Sequence, residues 1–392
     1  MNYFRPLPRY DAAIKFLASL FTETIVYPKD RNDDNLFIVT FKRSRDAIFA
    51  LTRSLQEGYN ENITIWLPKF YCWEIAAMLN NDKVIIKFYD IDDNFNPNWK
   101  KLETIDIENN INIFCLVSFF GKISNITNAR SFVKENNMIL LFDETHSAIP
   151  LVFPNKQNEY MIWSPYKHLP TPDGAFLYVS KKFNISGLTN YLNHIPTSSK
   201  LSNFKSDFLW LLKSYIVRFF KKRIFTASSI KANNTIDVVA IQKIQGIKLG
   251  ISRFDFQQIE NSMELIEPRL SSIYEDYDKI IFILNKFVEC EKFPKVRTGS
   301  HLFGIKFKTV NEVKLVFDIL RKLALPAVRW PEQDYFQLFR EELLTSEVIN
   351  LINLHIYIVT VDIYSGSKVS IDDIEFVKLE KELNATFKTR KN

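Results

Sequence analysis

Ile139-Leu140-Leu141-Phe142-Asp143-Glu144-Thr145-His146 decides the fold. An unbroken apolar run with no polar alternation reads as a strand buried on both faces, the kind found inside a parallel sheet. It ends on an acid, and open α/β sheets gather their ligands outside the carboxyl ends of their strands. Further along comes Ser164-Pro165-Tyr166-Lys167-His168, then Pro172-Asp173-Gly174 and a second apolar run, Ala175-Phe176-Leu177-Tyr178-Val179.

Working outward, strands and helices alternate. Leu36 to Val39 reads as a strand, and Arg45 to Leu55 as a helix with Ala47, Ile48, Leu51 and Leu55 on one face. Ile63 to Leu67 and Lys83 to Tyr89 are strands around a helix at Glu74 to Leu79. Ile111 to Phe120 is a long buried run, and Asn128 to Glu135 a helix. This order predicts an α/β doubly wound sheet. Beyond residue 180 the pattern changes. Phe208 to Phe225 is an apolar, aromatic helix-like run, and Ile236 to Leu249 reads as a helix. Phe256 to Tyr277 reads as a long helix that Pro268 kinks or splits. His301 to Phe307, Val310 to Leu323, Pro326 to Trp330, His355 to Val361 and Ile371 to Leu383 follow as strand, helix, strand, strand, helix. The expected organisation is a large domain over 1–250, with an N-terminal segment 1–34, and a smaller α+β domain over 251–392.

The bulk numbers describe an ordinary globular protein: 392 residues, 46% hydrophobic and 24% charged. The net charge of +6 is spread along the chain, which argues against a nucleic-acid partner. Cys72, Cys115 and Cys290 offer neither a disulfide framework nor metal-ligand spacing, as suits a reducing cytoplasm. The N-terminus lacks the apolar core of a signal peptide, and no uncharged apolar stretch is long enough to span a bilayer. The run 208–225, ending near Lys221-Lys222-Arg223, is a candidate for peripheral membrane contact. The alternative is a helix packed on the large domain or across a dimer interface.

An acid at a strand end, a Ser-x-x-Lys turn and a Gly-led strand form the layout in which fold-type I enzymes hold pyridoxal 5′-phosphate. That cofactor needs a lysine to bond its aldehyde and shuttle protons, and a carboxylate facing its pyridine nitrogen. It also needs hydroxyl and N–H donors for its phosphate, and flat groups around its ring. Lys167 and Asp143 suit the first two roles, and Ser164 sits where its hydroxyl can reach a phosphate. His146 can donate to the phenolic oxygen, and Ser44 with Arg45 can offer donors at a helix start. Each also has a plain structural reading: Asp143 as a helix cap, His146 as a structural histidine, Lys167 and Arg45 as solvated surface cations.

Taken in order, these pieces resemble the DegT/StrS-type sugar aminotransferases of the aspartate-aminotransferase fold superfamily. The resemblance covers roughly residues 35 to 385. Arg43-Ser44-Arg45-Asp46-Ala47-Ile48 is similar to the family's phosphate-binding helix start, and Ile65-Trp66-Leu67-Pro68 to the strand before its ring-stacking residue. Phe120-Gly121 matches an aromatic-Gly pair, Asp143-Glu144-Thr145-His146 the pyridine-binding motif, and Ser164 to Lys167 with Pro172-Asp173-Gly174 the Schiff-base lysine segment. Val361-Asp362-Ile363-Tyr364 is similar to the last active-site strand. Departures are Thr145 where Ala usually packs under the ring, Ser44-Arg45 for Gly-Thr, and Ala175 for a second Gly. The stacking position falls on Cys72, so that residue, Tyr71 or Trp73 would cover the ring.

The resemblance implies a fold-type I transferase: a mostly parallel mixed sheet sandwiched by helices, plus a smaller C-terminal α+β domain. It implies pyridoxal phosphate, and a homodimer whose shared sites take Asn233 or Asn234 from the partner. It implies amino transfer from an amino acid such as glutamate to a keto-sugar, nucleotide-linked, in surface-polysaccharide (lipopolysaccharide) biosynthesis. Lys167 sets the chain apart from the family's dehydratases, which lack that lysine. The alternatives are another reaction of the same cofactor (decarboxylase, lyase or condensing enzyme) and a catalytically degenerate binding or scaffold protein.

Overall fold

The computed structural model describes residues 11–19, 24–26, 36–59, 61–79, 84–156, 158–180, 186–219, 247, 249–264, 266–293, 296, 299–300, 302–323, 325, 327–328, 346–359 and 373–388. The larger sheet holds β1 (Leu36–Phe41), β2 (Ile63–Pro68), β3 (Val84–Tyr89), β4 (Ile111–Val117), β5 (Ile139–Asp143), β6 (Glu159–Trp163) and β7 (Ala175–Ser180). Their order is β1-β7-β6-β5-β4-β2-β3. Within this sheet β7 alone runs against its neighbours. Strands β2, β5, β6 and β7 are buried at every position, as expected of strands covered on both faces.

The helices of this half are α1 (Ala12–Ser19), α2 (Ser44–Tyr59), α3 (Trp73–Leu79), α4 (Trp99–Leu102), α5 (Ile126–Glu135), α6 (Ser186–His194) and α7 (Lys200–Phe219). Helix α2 lays Ala47, Ile48, Ala50, Leu51 and Leu55 into the core, against β1, β2, β6 and β7. Each such Leu or Ile removed from water contributes roughly 1.5–3 kcal/mol. Strand β6 has no counterpart in the sequence reading. It opens on Glu159, a poor strand residue, whose buried carboxylate accepts from Arg130 at 2.7 and 3.0 Å and from the N–H groups of Asn155 and Lys156.

Helices α8 (Arg253–Met263) and α9 (Ile266–Leu284) occupy the stretch expected to be a kinked or split helix. Pro268 lies in the first turn of α9, where a missing N–H costs nothing, just past the break. The smaller sheet follows: β8 (Cys290–Lys292), β9 (Leu302–Phe307), β10 (Ala327–Val328) and β11 (His355–Val359), in the order β10-β11-β9-β8 and antiparallel throughout. Its helices are α10 (Val310–Lys322), α11 (Ser346–Asn353) and α12 (Asp373–Lys388). Rings join the two sheets. Phe120 stacks on Tyr357 of β11 at 5.0 Å and packs against Phe293 at 5.2 Å and His146 at 5.6 Å.

The observed fold is the α/β architecture expected from the sequence. Of the expected helix at 236–249, residues 236–246 and 248 lie outside the described residues, and its expected end is not helical: Leu249 forms isolated bridges with Phe41 and Thr197. The segment Val361-Asp362-Ile363-Tyr364 also lies outside the described residues.

Candidate active site

The pairing fixes which loops meet. Val117 lies beside Asp143 and Asp143 beside Ile162, so β4, β5 and β6 end at one edge of the sheet. Because β7 is reversed, it begins at that edge, and β1, antiparallel to β7, ends there with Phe41 opposite Ala175. Residues 41–45, 118–121, 143–147, 164–168 and 171–174 therefore crowd one rim. Hydrogen bonds join them. Gly174 N–H donates to the Lys42 carbonyl at 3.1 Å, Ser118 N–H to that of Asp143 at 3.0 Å, and Glu144 N–H to that of Ile162 at 2.9 Å.

Asp143 is buried to 2% exposure. Its Oδ1 accepts from the Thr145 N–H at 3.0 Å and its Oδ2 from the Tyr71 hydroxyl at 2.8 Å. Both donors are neutral, and among the described residues no cation pairs with the carboxylate. Its charge acts on Tyr71, Tyr89, Cys115 and Glu144, all of them acids. Burial and the Asp143 charge hold the Tyr71 phenol well above its ordinary range, so it remains a donor. Next along the chain, Glu144 accepts from Ser118 Oγ at 2.5 Å and Ser147 Oγ at 2.6 Å; burial raises it to about 7.

His146 is buried, and burial, then the Lys167 charge, depress it well below the usual imidazole range, so it is neutral at pH 7. His168 is pushed down to about 3, chiefly by burial. Its Nε2 lies 3.2 Å from the Thr145 carbonyl, which can only accept, so that nitrogen carries the hydrogen. This bond ties the lysine turn to the Asp143 segment, and Trp163 Nε1 adds another by donating to the Ser147 carbonyl at 3.0 Å.

Ser164 opens the 3₁₀ turn Pro165–Lys167. It is fully buried, yet its Oγ has no hydrogen-bond partner among the described residues. A buried orphan hydroxyl costs about 1–3 kcal/mol, so such groups usually have a partner. Lys167 is half-buried at the end of that turn. Ser44 is buried as the first residue of α2. Arg45 turns to Asp46, with Nε 3.8 Å from Oδ1, while Arg43 bonds Asp173 Oδ1 at 2.7 Å and the Pro172 carbonyl at 3.0 Å and covers the Tyr166 ring. The Lys42-to-Arg45 cations thus brace the lysine loop or pair locally.

Of the residues singled out in the sequence, the structure gathers Asp143, Thr145, His146, Ser164, Lys167 and Ser44 on this rim. Cys72 is half-buried and not part of a disulfide. The Trp73 side chain, Asn233 and Asn234 lie outside the described residues. Tyr71 was considered only as a ring cover; its hydroxyl bond to Asp143 crosses 72 positions, a separation no local pattern signals.

No family model and no curated protein sequence matches the chain. Solved structures do. Helicobacter pylori PseC, an aminotransferase involved in the biosynthesis of pseudoaminic acid, matches with a TM-score of 0.62 at 13% identity, over 99% of both chains. A Streptococcus pneumoniae protein described as a sugar aminotransferase matches with a TM-score of 0.66 at 12% identity, over 99% of both. An E. coli GDP-4-keto-6-deoxy-D-mannose-3-dehydratase with bound hydrated pyridoxal phosphate matches at 0.61 and 12%, over 97% of this chain and 99% of that one. At such identities the likeness establishes the fold, which is that of these enzymes.

Proposed function

We propose that the chain is a pyridoxal-phosphate-dependent aminotransferase that moves an amino group from an amino acid, glutamate in the first instance, to a nucleotide-linked keto-sugar. The observation that carries the reading is Asp143. A buried carboxylate held only by neutral donors is the ground for a cationic ligand, and a protonated pyridine nitrogen is such a ligand. The orphan Ser164 hydroxyl fits the same group, as a donor waiting for a phosphate oxygen.

When bound, the cofactor supplies an electron sink for the carbon that gains or loses the amino group. The chain's residues do the rest. Lys167 offers the amine that anchors the aldehyde, and afterwards takes and returns a proton at the substrate carbon. Asp143 keeps a positive charge on the ring nitrogen. Ser164 and the N-terminus of α2, opened by buried Ser44, hold the phosphate. Neutral His146 donates to the phenolic oxygen, and Thr145 packs beneath the ring. The presence of Lys167 favours transfer over the dehydration named for one of the similar structures. The free cysteines suit a reducing compartment, so we place the reaction in the cytoplasm.

Purified protein given pyridoxal phosphate should develop a visible absorbance band. Lys167→Ala should abolish it, and labelled glutamate should release labelled 2-oxoglutarate. No band in the wild-type protein sinks the cofactor; a band without release of oxo acid sinks the reaction and leaves a decarboxylase, lyase or condensing enzyme.

A further inference from the structure

Among the described residues, Asp143 is the acid on the rim held by a phenol. Tyr71 reaches it from the loop after β2, donating to Oδ2 at 2.8 Å, while the backbone N–H of Thr145 occupies Oδ1. Both tyrosine and carboxylate are buried, at 2% exposure each. A carboxylate oxygen has room for a second donor, so Oδ2 can keep the phenol and still receive a ring N–H. A donor on the carboxylate stabilises its ionised form. The less basic the carboxylate, the more firmly a shared proton stays on the ring nitrogen. Among the described residues no other side chain donates to Asp143: the Tyr89 hydroxyl donates to the Cys115 carbonyl at 2.7 Å, and the Cys115 side chain bonds Tyr71. Glu144 is occupied by Ser118 and Ser147.

We propose that Tyr71 is a positioning residue that, through Asp143 Oδ2, fixes the proton on the pyridine nitrogen of the bound cofactor. This rests on the cofactor reading above and assigns a role to a tyrosine that would otherwise pass as a ring cover. Tyr71→Phe keeps the ring and its packing and removes the donor alone. Asp143 then becomes more basic and draws the proton off the ring nitrogen. A ring that has lost that proton withdraws less charge from the reactive carbon, and the nitrogen bonded there becomes more basic.

The test is a titration of the visible band of the cofactor-loaded wild type and Tyr71→Phe, with cofactor binding and apo-protein melting measured alongside. The pH midpoint of the band should rise by about one unit, and cofactor affinity should fall roughly tenfold, the scale of one hydrogen bond to a charged group. Asp143→Asn and the double variant complete a cycle. Once Asp143 is Asn, the tyrosine substitution should have little further effect. A loaded Tyr71→Phe with an unchanged midpoint overturns this role and leaves the cofactor reading standing. A wild type that takes up no cofactor overturns both. A variant that melts normally but does not load supports the role if Tyr71→Gln, which restores an N–H donor, restores loading, and overturns it if that variant also stays empty.

Discussion

Ser164 shows how far a single residue can be read. The sequence marks it as a donor three positions before the lysine, but its environment appears only in the fold: full burial with nothing to bond. Ser164→Ala should therefore have two opposite effects. Cofactor affinity should fall about ten- to a hundredfold, the scale of a bond to a charged phosphate. The apo-protein should melt no lower than wild type, and by up to a few degrees higher, because an orphan buried hydroxyl is removed. Equilibrium titration and calorimetry check the two halves; a lower apo melting point would mean the hydroxyl is structural. Asp143, His146 and Lys167 were legible because each stands beside a strand end or turn that announces itself. Tyr71 was not, since long-range pairing leaves no local trace. Arg45, a phosphate ligand by motif position, has its Nε 3.8 Å from Asp46 Oδ1.

Among the elements, α7 is the unusual one. Its buried side carries the polar Asn203, Asp207 and Ser214 beside Leu211, and its open side carries Leu201, Phe204, Phe208, Leu209, Leu212 and Ile216. The polar side docks on the lysine loop. Ser206 Oγ donates to Asp173 Oδ2 at 3.2 Å, and Asp207 lies against Asp255, which caps α8 and accepts from Thr171 Oγ1 at 2.8 Å. Burial, then the Asp255 charge, raises Asp207 to about 9, and burial, then the Asp173 charge, raises Asp255 to about 7, so this acid cluster holds a proton through neutrality. The sign follows from linkage. The folded state binds this proton more tightly than the unfolded chain, so the contribution is full at acid pH and is lost as pH rises into the alkaline range. Asp207→Asn should flatten the decline in melting temperature between about pH 6 and 9, measured by thermal scans across that window. An unchanged slope would show that the two acids do not share a proton. Sequence periodicity gave this helix as an apolar run at 208–225 but not its polar first half, which begins at Lys200. Strand β6 was missed for a related reason: its leading glutamate is tolerable only with Arg130 in place.

For the whole molecule, the open face of α7 continues onto α1, where Ile14 is 72% and Leu17 60% exposed. Phe16 of α1 packs against Phe204 and Phe208. An apolar surface of this extent marks an interaction site, and no helix among the described residues is long and apolar enough to cross a membrane. We read it as the contact between two copies of the chain, with a lipid surface as the other reading. Leu209→Glu should convert a dimer to a monomer in light scattering while the melting point of dilute protein changes little. A wild-type monomer that sediments with anionic vesicles would decide for lipid. The layered architecture was legible because buried parallel strands are written as apolar runs. The rings between the two sheets carry a last consequence. Phe120, with a backbone φ of 55° that side-chain-bearing residues seldom adopt, stacks on Tyr357 and meets Phe293 at a tilt, and Phe293 in turn meets Phe95 and His355. The hydrophobic part of such contacts weakens on cooling, while the polar ties beside them, Ala148 N–H to the Gly299 carbonyl at 3.2 Å and Lys306 to Asp93 at 3.5 Å, do not depend on it. The seat of the small sheet beside His146 therefore draws part of its hold from a term that fades in the cold.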